Sequence, residues 1–564
     1  MCGIAGVLNG ERLAADLIAA LAHRGPDGIR TESLPGANLA HARLSIIDLE
    51  GGWQPLHAAG SVVVGNGEIY NYLELAQDHG LGPLLATGSD FEPLLHLYAR
   101  EGPDAFRRLR GMYAFCLVGG DGRTWLVRDP FGIKPLYILE RDGAVIFASE
   151  PRAFLAAGLI DPVMDASAAE DLLGLSYTTG EATIFPALRR LAPGEILEVT
   201  PAGLIAHEPR PSLPARSPRR ASDEAALIDQ LDAVLEESVR VHQRSDAPFG
   251  LFLSGGIDSA AIATLMARLA ERPVTAFTCG FDMPGAADER GQAERVARAL
   301  DLDWREVRFD ETEFWRLMPR VALALDDPTA DYAALPTYRL AEAARDTLRV
   351  VLTGEGGDEL FGGYGRYRRA LRPALLGGRP ADPRPDRPEV LARWREAGRA
   401  PRGLSPLQSA QWSDVATWLP NDLLIKLDRC LMANGLEGRT PFLDPEVADF
   451  AFTLPDRFKV RGRFGKYLLR TWLARTCPAA APWARKQGFT VPVEAWIAPR
   501  AADIAPRVAE VSAVRRLRSP EAVAAAFAPG GKGAWPLLFL AVWSLIHLEG
   551  AEPADALEAC VGRF

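Results

Sequence analysis

The sequence of 564 residues is poor in cysteine, methionine and histidine, with six, seven and eight of them. The cysteines form no CxxC pair and no cluster with histidine; they are Cys2, Cys116, Cys279, Cys430, Cys477 and Cys560. This distribution excludes a disulfide-built scaffold and a structural zinc site, and it is typical of a reducing compartment.

Long uncharged apolar runs are also lacking, so no membrane span is expected. The N-terminus has no basic stretch followed by an apolar core, so we expect no signal peptide and a cytoplasmic location. A formal net charge of −10 argues against a nucleic-acid partner held by bulk electrostatics. With 48% hydrophobic and 24% charged residues, the composition is that of a folded protein.

Two domains are predicted, because the pattern of expected strands and helices changes along the chain. Residues 1–206 show short strands and turns, with hairpins over 114–127 and 137–147 and a helix over 91–98, which favours antiparallel sheets with a few helices. Residues 207–222, rich in Pro, Arg and Ser, are interpreted as a linker. Residues 223–564 form the second domain.

The second domain alternates strands and helices. Strands are expected at 251–253, 274–277, 304–309 and 349–352, with helices over 257–269 and 288–300, and this alternation predicts a parallel sheet. The Pro- and Arg-rich run 372–402 is expected to be a loop or a poorly ordered insertion, and the chain after about residue 405 is expected to be mainly helical.

Cys2 directly follows the initiator methionine. Removal of Met1, favoured by the small residues behind it, would place a thiol and a free α-amine on one residue. The amine has a pKa of about 8 and the thiol one of about 8.5. At neutral pH the amine can therefore act as the base for its own thiol, a known arrangement for acyl transfer.

Three further patterns in the first domain could serve amide hydrolysis. Asn66 and the Gly67 N–H could stabilise an oxyanion. Arg43 could bind a substrate carboxylate bidentately, and Asp90 could bind a substrate ammonium. Taken singly, Asn66-Gly67 is also typical of a turn and Asp90 of a helix N-cap.

Together these motifs resemble the glutaminase domain of the class II, N-terminal-nucleophile glutamine amidotransferases. The resemblance spans roughly residues 1–200 and includes Met-Cys-Gly-Ile, Arg-Gly-Pro-Asp, Arg-Leu-Ser-Ile, Asn-Gly-Glu-Ile-Tyr-Asn and Arg-Asp-Pro-Phe-Gly-Ile-Lys-Pro-Leu-Tyr. It implies a four-layer α+β sandwich with Cys2 as nucleophile. It also implies structural or interface roles for Lys134 and Glu150, and a glutamine pocket of Arg43, Leu44, Ser45, Ile46, Ile47, Asn66, Gly67, Glu68 and Asp90.

The second domain carries a phosphate-binding pattern at a strand-to-helix junction, Ser254-Gly255-Gly256-Ile257-Asp258-Ser259. Glycines let the backbone approach an anion, and the helix N-terminus presents free N–H groups. A second glycine-rich segment, 353–364, holds Glu355, Asp358 and Glu359. Asp258 and Asp358 are candidate Mg²⁺ ligands, because Mg²⁺ is commonly held by one or two carboxylates plus phosphates. Lys466 could supply charge to phosphoryl oxygens.

This half resembles the ATP pyrophosphatases, and the chain over roughly 1–500 resembles the glutamine-hydrolysing asparagine synthetases. Further matching segments are Asp327-Pro328 to Tyr338, Lys426 to Arg429, Leu436 to Asp444 and Arg485 to Phe489. The resemblance implies an α/β parallel-sheet domain with extra helices. It implies that Glu355 promotes formation of a β-aspartyl-adenylate, and that the ATP site includes Leu253, Ser254, Gly255, Gly256, Asp258, Ser259, Cys279, Thr353 and Gly354.

The implied reaction joins glutamine, ATP-Mg²⁺ and aspartate to give asparagine, glutamate, AMP and pyrophosphate, with Cys2, Asn66, Gly67, Glu355 and Lys466 as catalytic residues. A homodimer is the implied assembly, with no nucleic-acid or membrane partner. The sequence departs from the commoner family pattern at Thr353, Gly438 and Thr440, and the last two leave the acceptor open.

Two alternatives remain. One is an amidotransferase on the same scaffold that acts on another carboxylate in secondary metabolism. Cyclising relatives typically lack a working glutaminase, so the intact Cys2, Asn66 and Asp90 argue against a cyclase. The other is a binding protein with an inactive ATP domain, which the presence of Asp258, Glu355 and Asp358 argues against.

Overall fold

A computed structural model describes residues 2–12, 14–216, 218, 223–281, 283, 288–372, 375, 378–485 and 491–563. Outside the described residues lie Met1, part of the predicted linker (217 and 219–222), part of the 372–402 segment (373, 374, 376 and 377) and residues 486–490, which include 486–489 of the Arg-Lys-Gln-Gly-Phe motif.

The first part of the chain forms two antiparallel sheets of six strands each. The first sheet has the order β10-β8-β9-β1-β3-β2 and the second the order β12-β11-β7-β6-β5-β4. In chain order the strands are β1 Gly3–Leu8, β2 Gly28–Leu34, β3 Ala37–Arg43, β4 Leu56–Ala58, β5 Ser61–Ile69, β6 Gly111–Val118, β7 Thr124–Arg128, β8 Tyr137–Arg141, β9 Ala144–Ala148, β10 Arg189–Arg190, β11 Ile196–Thr200 and β12 Gly203–Ala206.

These sheets are the middle two of four layers. Their facing sides share an apolar core that includes Ile4, Val64 and Phe147. Helices cover the outer sides; they are α1 Ala15–Ala19, α2 Tyr72–Asp78, α3 Glu92–Glu101, α4 Arg152–Ala156 and α5 Ala166–Leu175. The α+β four-layer sandwich expected from the resemblance is therefore confirmed.

Both predicted hairpins are present. Strands β6 and β7 pair in antiparallel register, with Ala114 opposite Arg128. Strands β8 and β9 pair with Arg141 opposite Ala144. The two-residue turn between them, Asp142-Gly143, has φ of 52° and 80°. Positive φ at both positions matches the twist of the flanking strands, which is why Asp-Gly is favoured there.

The second part contains a five-stranded parallel sheet with the order β15-β14-β13-β16-β17. Its strands are β13 Phe249–Phe252, β14 Thr275–Phe281, β15 Asp303–Phe309, β16 Val350–Leu352 and β17 Glu437–Arg439. The strands contribute side chains to two apolar clusters, one on each face; Ala276 lies in one and Phe277 in the other. The predicted α/β architecture is confirmed.

Nineteen helices accompany this sheet in the described residues. They are α6 Glu224–His242, α7 Ile257–Leu269, α8 Arg290–Ala299, α9 Glu311–Ala324, α10 Ala334–Ala344, α11 Gly357–Phe361, α12 Gly365–Ala370, α13 Pro388–Ala397, α14 Pro406–Ala416, α15 Leu424–Met432, α16 Pro445–Thr453, α17 Asp456–Lys459, α18 Tyr467–Thr476, α19 Val493–Ile497, α20 Ala501–Glu510, α21 Ser512–Arg515, α22 Pro520–Phe527, α23 Ala534–His547 and α24 Pro553–Val561. A π-helical turn, Leu419–Leu423, joins α14 to α15.

Two expectations for this part need correction. The 372–402 segment is not only a loop, because α13 lies within it and packs through the buried Trp394. The chain after residue 405 is mainly helical, but β17 adds a strand to the sheet. A three-residue strand has no periodicity that a sequence pattern can detect, and its pairing with β16 comes from tertiary structure.

The two parts share apolar packing. One cluster joins Leu44, Ile46 and Ile133 of the first part to Leu251 and Leu352 of the second. The domain division at 206–223 stays a prediction. No helix in the described residues is long and apolar enough to cross a membrane.

Candidate active site

Cys2 lies immediately before β1. Its backbone N–H donates to Asn66 Oδ1 at 3.1 Å, and its Sγ lies 3.9 Å from the Leu44 carbonyl oxygen. Burial raises the pKa of the Cys2 thiol, so the thiol needs a base to become a nucleophile. These contacts fix the thiol close to a buried amide side chain.

Only one of the two polar groups of the Asn66 side-chain amide, Oδ1, has a hydrogen-bond partner within the described residues. Asn66 is fully buried, and its Nδ2 has no hydrogen-bond partner within the described residues. A buried N–H donor without a partner costs free energy. A substrate oxygen that gains negative charge beside the thiol would satisfy this donor, which is the arrangement of an oxyanion hole.

Gly67 lies inside β5 rather than in a turn, so the turn alternative for Asn66-Gly67 is wrong. Its φ is +134°, and a Cβ built there would lie 2.0 Å from the Met112 carbonyl oxygen on β6. Only glycine fits this backbone conformation and this approach of two strands.

Arg43, at the end of β3, is held by carbonyl oxygens and an aromatic ring. Its guanidinium donates to the carbonyls of Asp48 and Leu49, at 2.5 and 3.2 Å, and lies 4.8 Å from the Trp53 ring centroid. The Ser45 N–H donates to Asp27 Oδ2 at 2.7 Å. The predicted segment Arg43, Leu44, Ser45, Ile46 and Ile47 thus lies beside Cys2.

Asp90 is not a helix N-cap, because α3 begins after Phe91 and Asp90 Oδ2 instead accepts from the Ile69 N–H at 2.7 Å. Burial, followed by the charge of Glu437, raises the pKa of Asp90 to about 7. Glu68 is also buried, and desolvation followed by the charges of Asp90 and Glu437 raises its pKa. Asp90 and Glu68 thus form an acidic pair near Cys2, and binding of a substrate ammonium by Asp90 stays a prediction.

A second constellation lies at the carboxyl edge of the parallel sheet, where β13 leads into α7. The Gly256 N–H donates to Ser254 Oγ at 3.0 Å, and Ser254 Oγ lies 2.9 Å from Ser259 Oγ. The Gly255 N–H donates to Glu289 Oε2 at 3.1 Å. The loop therefore already holds an anionic group, which agrees with the predicted phosphate cradle.

Lys466 lies between the two predicted metal ligands. Its Nζ contacts Asp258 and lies 2.7 Å from Asp358 Oδ1. A cavity of about 330 Å³ opens beside these residues and the Gly255-Gly256 loop. In the described part of the chain no group of three or more His, Cys, Asp or Glu is arranged to hold a metal ion. Asp258 and Asp358 are nevertheless suited to a Mg²⁺ ion that takes its other ligands from phosphate oxygens.

Comparison with known proteins covers both parts. Residues 1–208 match the family model described as glutamine amidotransferase domain, and residues 230–547 match the one described as asparagine synthase. The chain belongs to the asparagine synthetase family. A Bacillus subtilis relative named asparagine synthetase (glutamine-hydrolyzing) 1 is 30% identical over 97% of each chain. Asparagine synthetase B (glutamine-hydrolyzing) of Escherichia coli is 29% identical over 87% of this chain and 82% of its own.

The family resemblance places Leu253, Cys279 and Thr353 around ATP. All three are buried, and they lie on or directly after the neighbouring strands β13, β14 and β16. Carboxyl ends of parallel strands meet at one sheet edge, which is where such folds bind ligands. Gly354 packs so tightly that a Cβ would lie 2.9 Å from Asp258 Cβ. The structure brings these positions together, and their role in ATP binding stays a prediction.

The sequence motifs predicted no role for Lys426, although it lies in a segment that matches the family. Its Nζ lies 2.8 Å from Asp331 Oδ2. Burial raises the pKa of Glu355, and the Lys426 charge is the largest opposing influence. Asp331, Glu355 and Lys426 therefore form one charged group. The matching segment Lys426 to Arg429 was the available signal.

The sequence motifs also predicted no role for Arg24. Its Nε donates to the Cys2 carbonyl oxygen at 3.2 Å, while its Nη atoms donate to Asp428 of α15 at 2.8 and 3.1 Å and to Glu150 at 2.6 Å. Lys134 Nζ lies 3.9 Å from the same Asp428. The interface roles expected for Lys134 and Glu150 agree with these contacts.

Arg439 of β17 touches both constellations. Its Nη2 lies 3.4 Å from Glu68 Oε1, and its carbonyl oxygen accepts from the Thr353 N–H at 2.9 Å. Gly438 beside it packs against Leu427 and Leu431 of α15, where a Cβ would lie 2.9 Å from Leu431 Cδ2. The departures at Gly438 and Thr440 are thus in buried packing positions.

Proposed function

We propose that this protein makes asparagine from aspartate, with glutamine as nitrogen donor and ATP as energy source. The observation that carries the proposal is the contact of Arg439 with Glu68 on one side and Thr353 on the other. Through this residue a glutamine-binding pocket and a nucleotide-binding sheet edge are neighbours in one molecule.

In the first half-reaction the Cys2 thiolate attacks the glutamine side-chain amide. Removal of Met1 would give Cys2 an α-amine that takes the thiol proton. Asn66 Nδ2 and the Gly67 N–H donate to the oxyanion, Arg43 binds the α-carboxylate and Asp90 the α-ammonium. The C–N bond breaks, the departing –NH2 group takes the proton held by the α-amine and leaves as neutral ammonia, and water hydrolyses the glutamyl thioester to glutamate.

In the second half-reaction the β-carboxylate of aspartate attacks the α-phosphorus of ATP, giving β-aspartyl-AMP and pyrophosphate. The loop 254–259 receives the leaving phosphates, and Lys466 offers positive charge to their oxygens. Glu355 and Lys426 lie beside the reacting groups and set the local charge. Ammonia then attacks the acyl carbon, and AMP leaves.

Asp258 and Asp358 would hold Mg²⁺ together with phosphate oxygens, since Lys466 shows that their carboxylates can share one cation. The ion would neutralise charge on the phosphates when bound.

Ammonia must reach the adenylate unprotonated, which favours a route shielded from water between the two sites. The apolar cluster shared by Leu44, Ile133 and Leu352 supports such a route.

One incubation tests the proposal. Purified protein with glutamine, ATP-Mg²⁺ and aspartate should produce asparagine, glutamate, AMP and pyrophosphate in equal amounts. Glutamate release without asparagine would leave the glutaminase in place and reject aspartate as the acceptor.

A cytoplasmic location and a homodimer belong to the same proposal. The six free thiols support a reducing compartment. Light scattering on the purified protein would measure the mass of the assembly.

A further inference from the structure

Asp48 joins the two segments that carry the charged groups of the glutamine pocket. Its carbonyl oxygen accepts from the Arg43 guanidinium at 2.5 Å. Its side chain accepts from two backbone N–H groups, that of Gly51 at Oδ1 and that of Gly88 at Oδ2, both at 2.8 Å. Gly88 lies two residues before Asp90. Asp48 therefore contacts the residue proposed to bind the α-carboxylate and the segment of the residue proposed to bind the ammonium.

The backbone of Asp48 needs support from its surroundings. Its φ is +50°, a left-handed conformation that residues with a side chain seldom adopt. Such a conformation persists where neighbouring contacts stabilise it, and it is common at functional sites. The two N–H groups bound by the Asp48 carboxylate supply part of this support from within the first part of the chain.

Asp246 supplies further support from the second part of the chain, between helix α6 and strand β13. The Asp48 N–H donates to Asp246 Oδ2 at 2.7 Å. The Asp246 N–H donates in turn to the Ile46 carbonyl oxygen at 2.9 Å. Two hydrogen bonds of opposite direction between the same two segments fix both their separation and their register. The first bond ends on a carboxylate, which makes it the stronger type.

The segment around Asp246 is itself held in place. Ser245 Oγ donates to the Ala247 carbonyl oxygen at 2.8 Å and accepts from the Ala247 N–H at 3.1 Å. The Arg439 guanidinium donates to the Arg244 carbonyl oxygen at 2.6 Å. Asp246 is therefore presented to the first part of the chain by a segment whose backbone is bonded on both sides.

A second contact between the two parts lies at the other end of the same pocket segment. The Asp27 N–H donates to the Arg43 carbonyl oxygen at 3.0 Å, and Asp27 Oδ2 accepts from the Ser45 N–H at 2.7 Å. Arg349, whose N–H donates to the Pro248 carbonyl oxygen at 2.8 Å, lies 3.9 Å from Asp27 Oδ1. The second part thus contacts the pocket segment 43–48 near its start and at its end.

We propose that Asp246 is a positioning residue for the glutamine pocket: it holds Asp48, and Asp48 holds Arg43 and the Asp90 segment at the spacing that glutamine requires. The inference rests on the proposed function and extends the glutamine pocket to a residue of the nucleotide-binding part. Strand β13 begins three residues after Asp246 and leads into the loop 254–259. Glutamine hydrolysis thereby depends on a residue of the part that uses the ammonia.

The first test measures glutamate release at varied glutamine concentration, with ammonia-driven pyrophosphate release as the internal reference. We expect Asp246→Ala to raise the KM for glutamine about fivefold with kcat within twofold of the wild type, because it removes a hydrogen bond that water partly replaces at this exposed position. The ammonia-driven reaction should stay within twofold. Asp246→Asn keeps an oxygen that accepts from the Asp48 N–H and should behave as the wild type.

A second measurement separates a shifted pocket from a general loss of stability. The analogue 4-aminobutanamide is glutamine without its α-carboxylate, so it gains nothing from a well-placed Arg43. The ratio of kcat/KM for glutamine to kcat/KM for this analogue should fall about fivefold in Asp246→Ala. A variant that only lowers the amount of folded protein would leave this ratio unchanged.

Two further variants complete the design. Asp229→Ala removes an exposed aspartate of helix α6, also in the second part, and is the matched control that should leave every parameter unchanged. Asp48→Asn can accept from only one of the Gly51 and Gly88 N–H groups, so it should raise the KM for glutamine by a similar factor and tests the same path independently. Thermal unfolding identifies any variant that fails to fold.

The outcomes separate the two claims. If the wild type makes asparagine but the KM of Asp246→Ala is within twofold of normal, the positioning role is wrong and the proposed function stands. The same holds if Asp246→Asn is as impaired as Asp246→Ala. If glutamine is hydrolysed with the expected variant effects but aspartate is not amidated, the proposed function fails and the positioning role stands. A wild type that hydrolyses no glutamine overturns both.

Discussion

At the scale of single residues, Asn66 shows how one side chain can serve two functions. Its Oδ1 accepts from the Cys2 N–H at 3.1 Å, while its Nδ2 stays without a partner among the described residues. The first contact fixes the amide plane, so the second group is already oriented when substrate arrives. Preorganised donors of this kind stabilise a transition state without the cost of reorientation.

Cys2→Ala should abolish glutamine-dependent asparagine synthesis and leave synthesis from added ammonia unchanged. The thiol acts only in ammonia release, and the nucleotide site is built from residues more than 250 positions away. Asparagine formation would be measured with each nitrogen source. Loss of both activities in a folded variant would contradict the two-site arrangement.

Asp90 should make glutamine binding depend on pH. Its pKa is raised to about 7, so it is protonated below that pH and cannot attract the glutamine ammonium. In the Cys2→Ala variant, calorimetry should show an affinity that rises about tenfold per pH unit up to pH 7 and then levels off.

The double variant Cys2→Ala, Asp90→Asn should bind weakly at every pH, whereas Asp104→Asn, at an exposed position, should keep the profile. A flat profile for the Asp90 protein between pH 5.5 and 7 would show that another group binds the ammonium.

At the scale of elements, β5 carries three consecutive pocket residues, Asn66, Gly67 and Glu68, on a strand that pairs with β6. A strand directs successive side chains to opposite faces. The glycine between the amide and the carboxyl lets the backbone turn at φ +134° without leaving the sheet. The element thus presents backbone and side-chain groups to one pocket.

Gly67→Ala should destabilise the protein by about 3 kcal/mol or more, because it combines a disfavoured φ with a backbone clash. Gly36→Ala is the matched control: its φ is also positive, at +75°, but nothing lies within 4 Å of the added Cβ. It should cost about 1 kcal/mol. Scanning calorimetry measures both, and equal losses would assign the effect to φ alone.

Elements with a strong local pattern are predictable from this sequence. The hairpins, the loop 254–259 and helix α7 follow from turn residues and apolar spacing. The motif residues Cys2, Leu44 and Asn66 of the first domain lie together in the structure. Strand β17 and helix α13 are not predictable this way, because one is three residues long and the other is stabilised by its contacts with α5.

At the scale of the whole molecule, the two parts meet through buried ion pairs. Arg24 and Asp428 are 0% and 2% exposed at their side chains and lie 2.8 Å apart. Arg429 pairs with Asp428 and with Asp326, at 3.1 and 2.9 Å. Removal of one member leaves charges buried without compensation, which is strongly destabilising.

Asp428→Ala should therefore lower the stability by about 3 kcal/mol or more and split calorimetric unfolding into two transitions. Glu558→Gln removes an exposed partner of Arg563 and should change little. One unshifted transition for Asp428→Ala would show that the apolar contacts alone join the two parts.

The contact of Glu289 with the Gly255 N–H has a consequence for nucleotide affinity. A phosphate oxygen that takes this donor must first displace a carboxylate of the protein itself, 3.1 Å away. The apparent association constant then equals the intrinsic one multiplied by the fraction of molecules in which Glu289 has released this donor. Small inorganic anions, which gain only this one contact, compete poorly with the tethered carboxylate. A nucleotide that also contacts Lys466 can offset the free energy of displacing Glu289. This loop therefore favours anions that make several contacts over anions that make one.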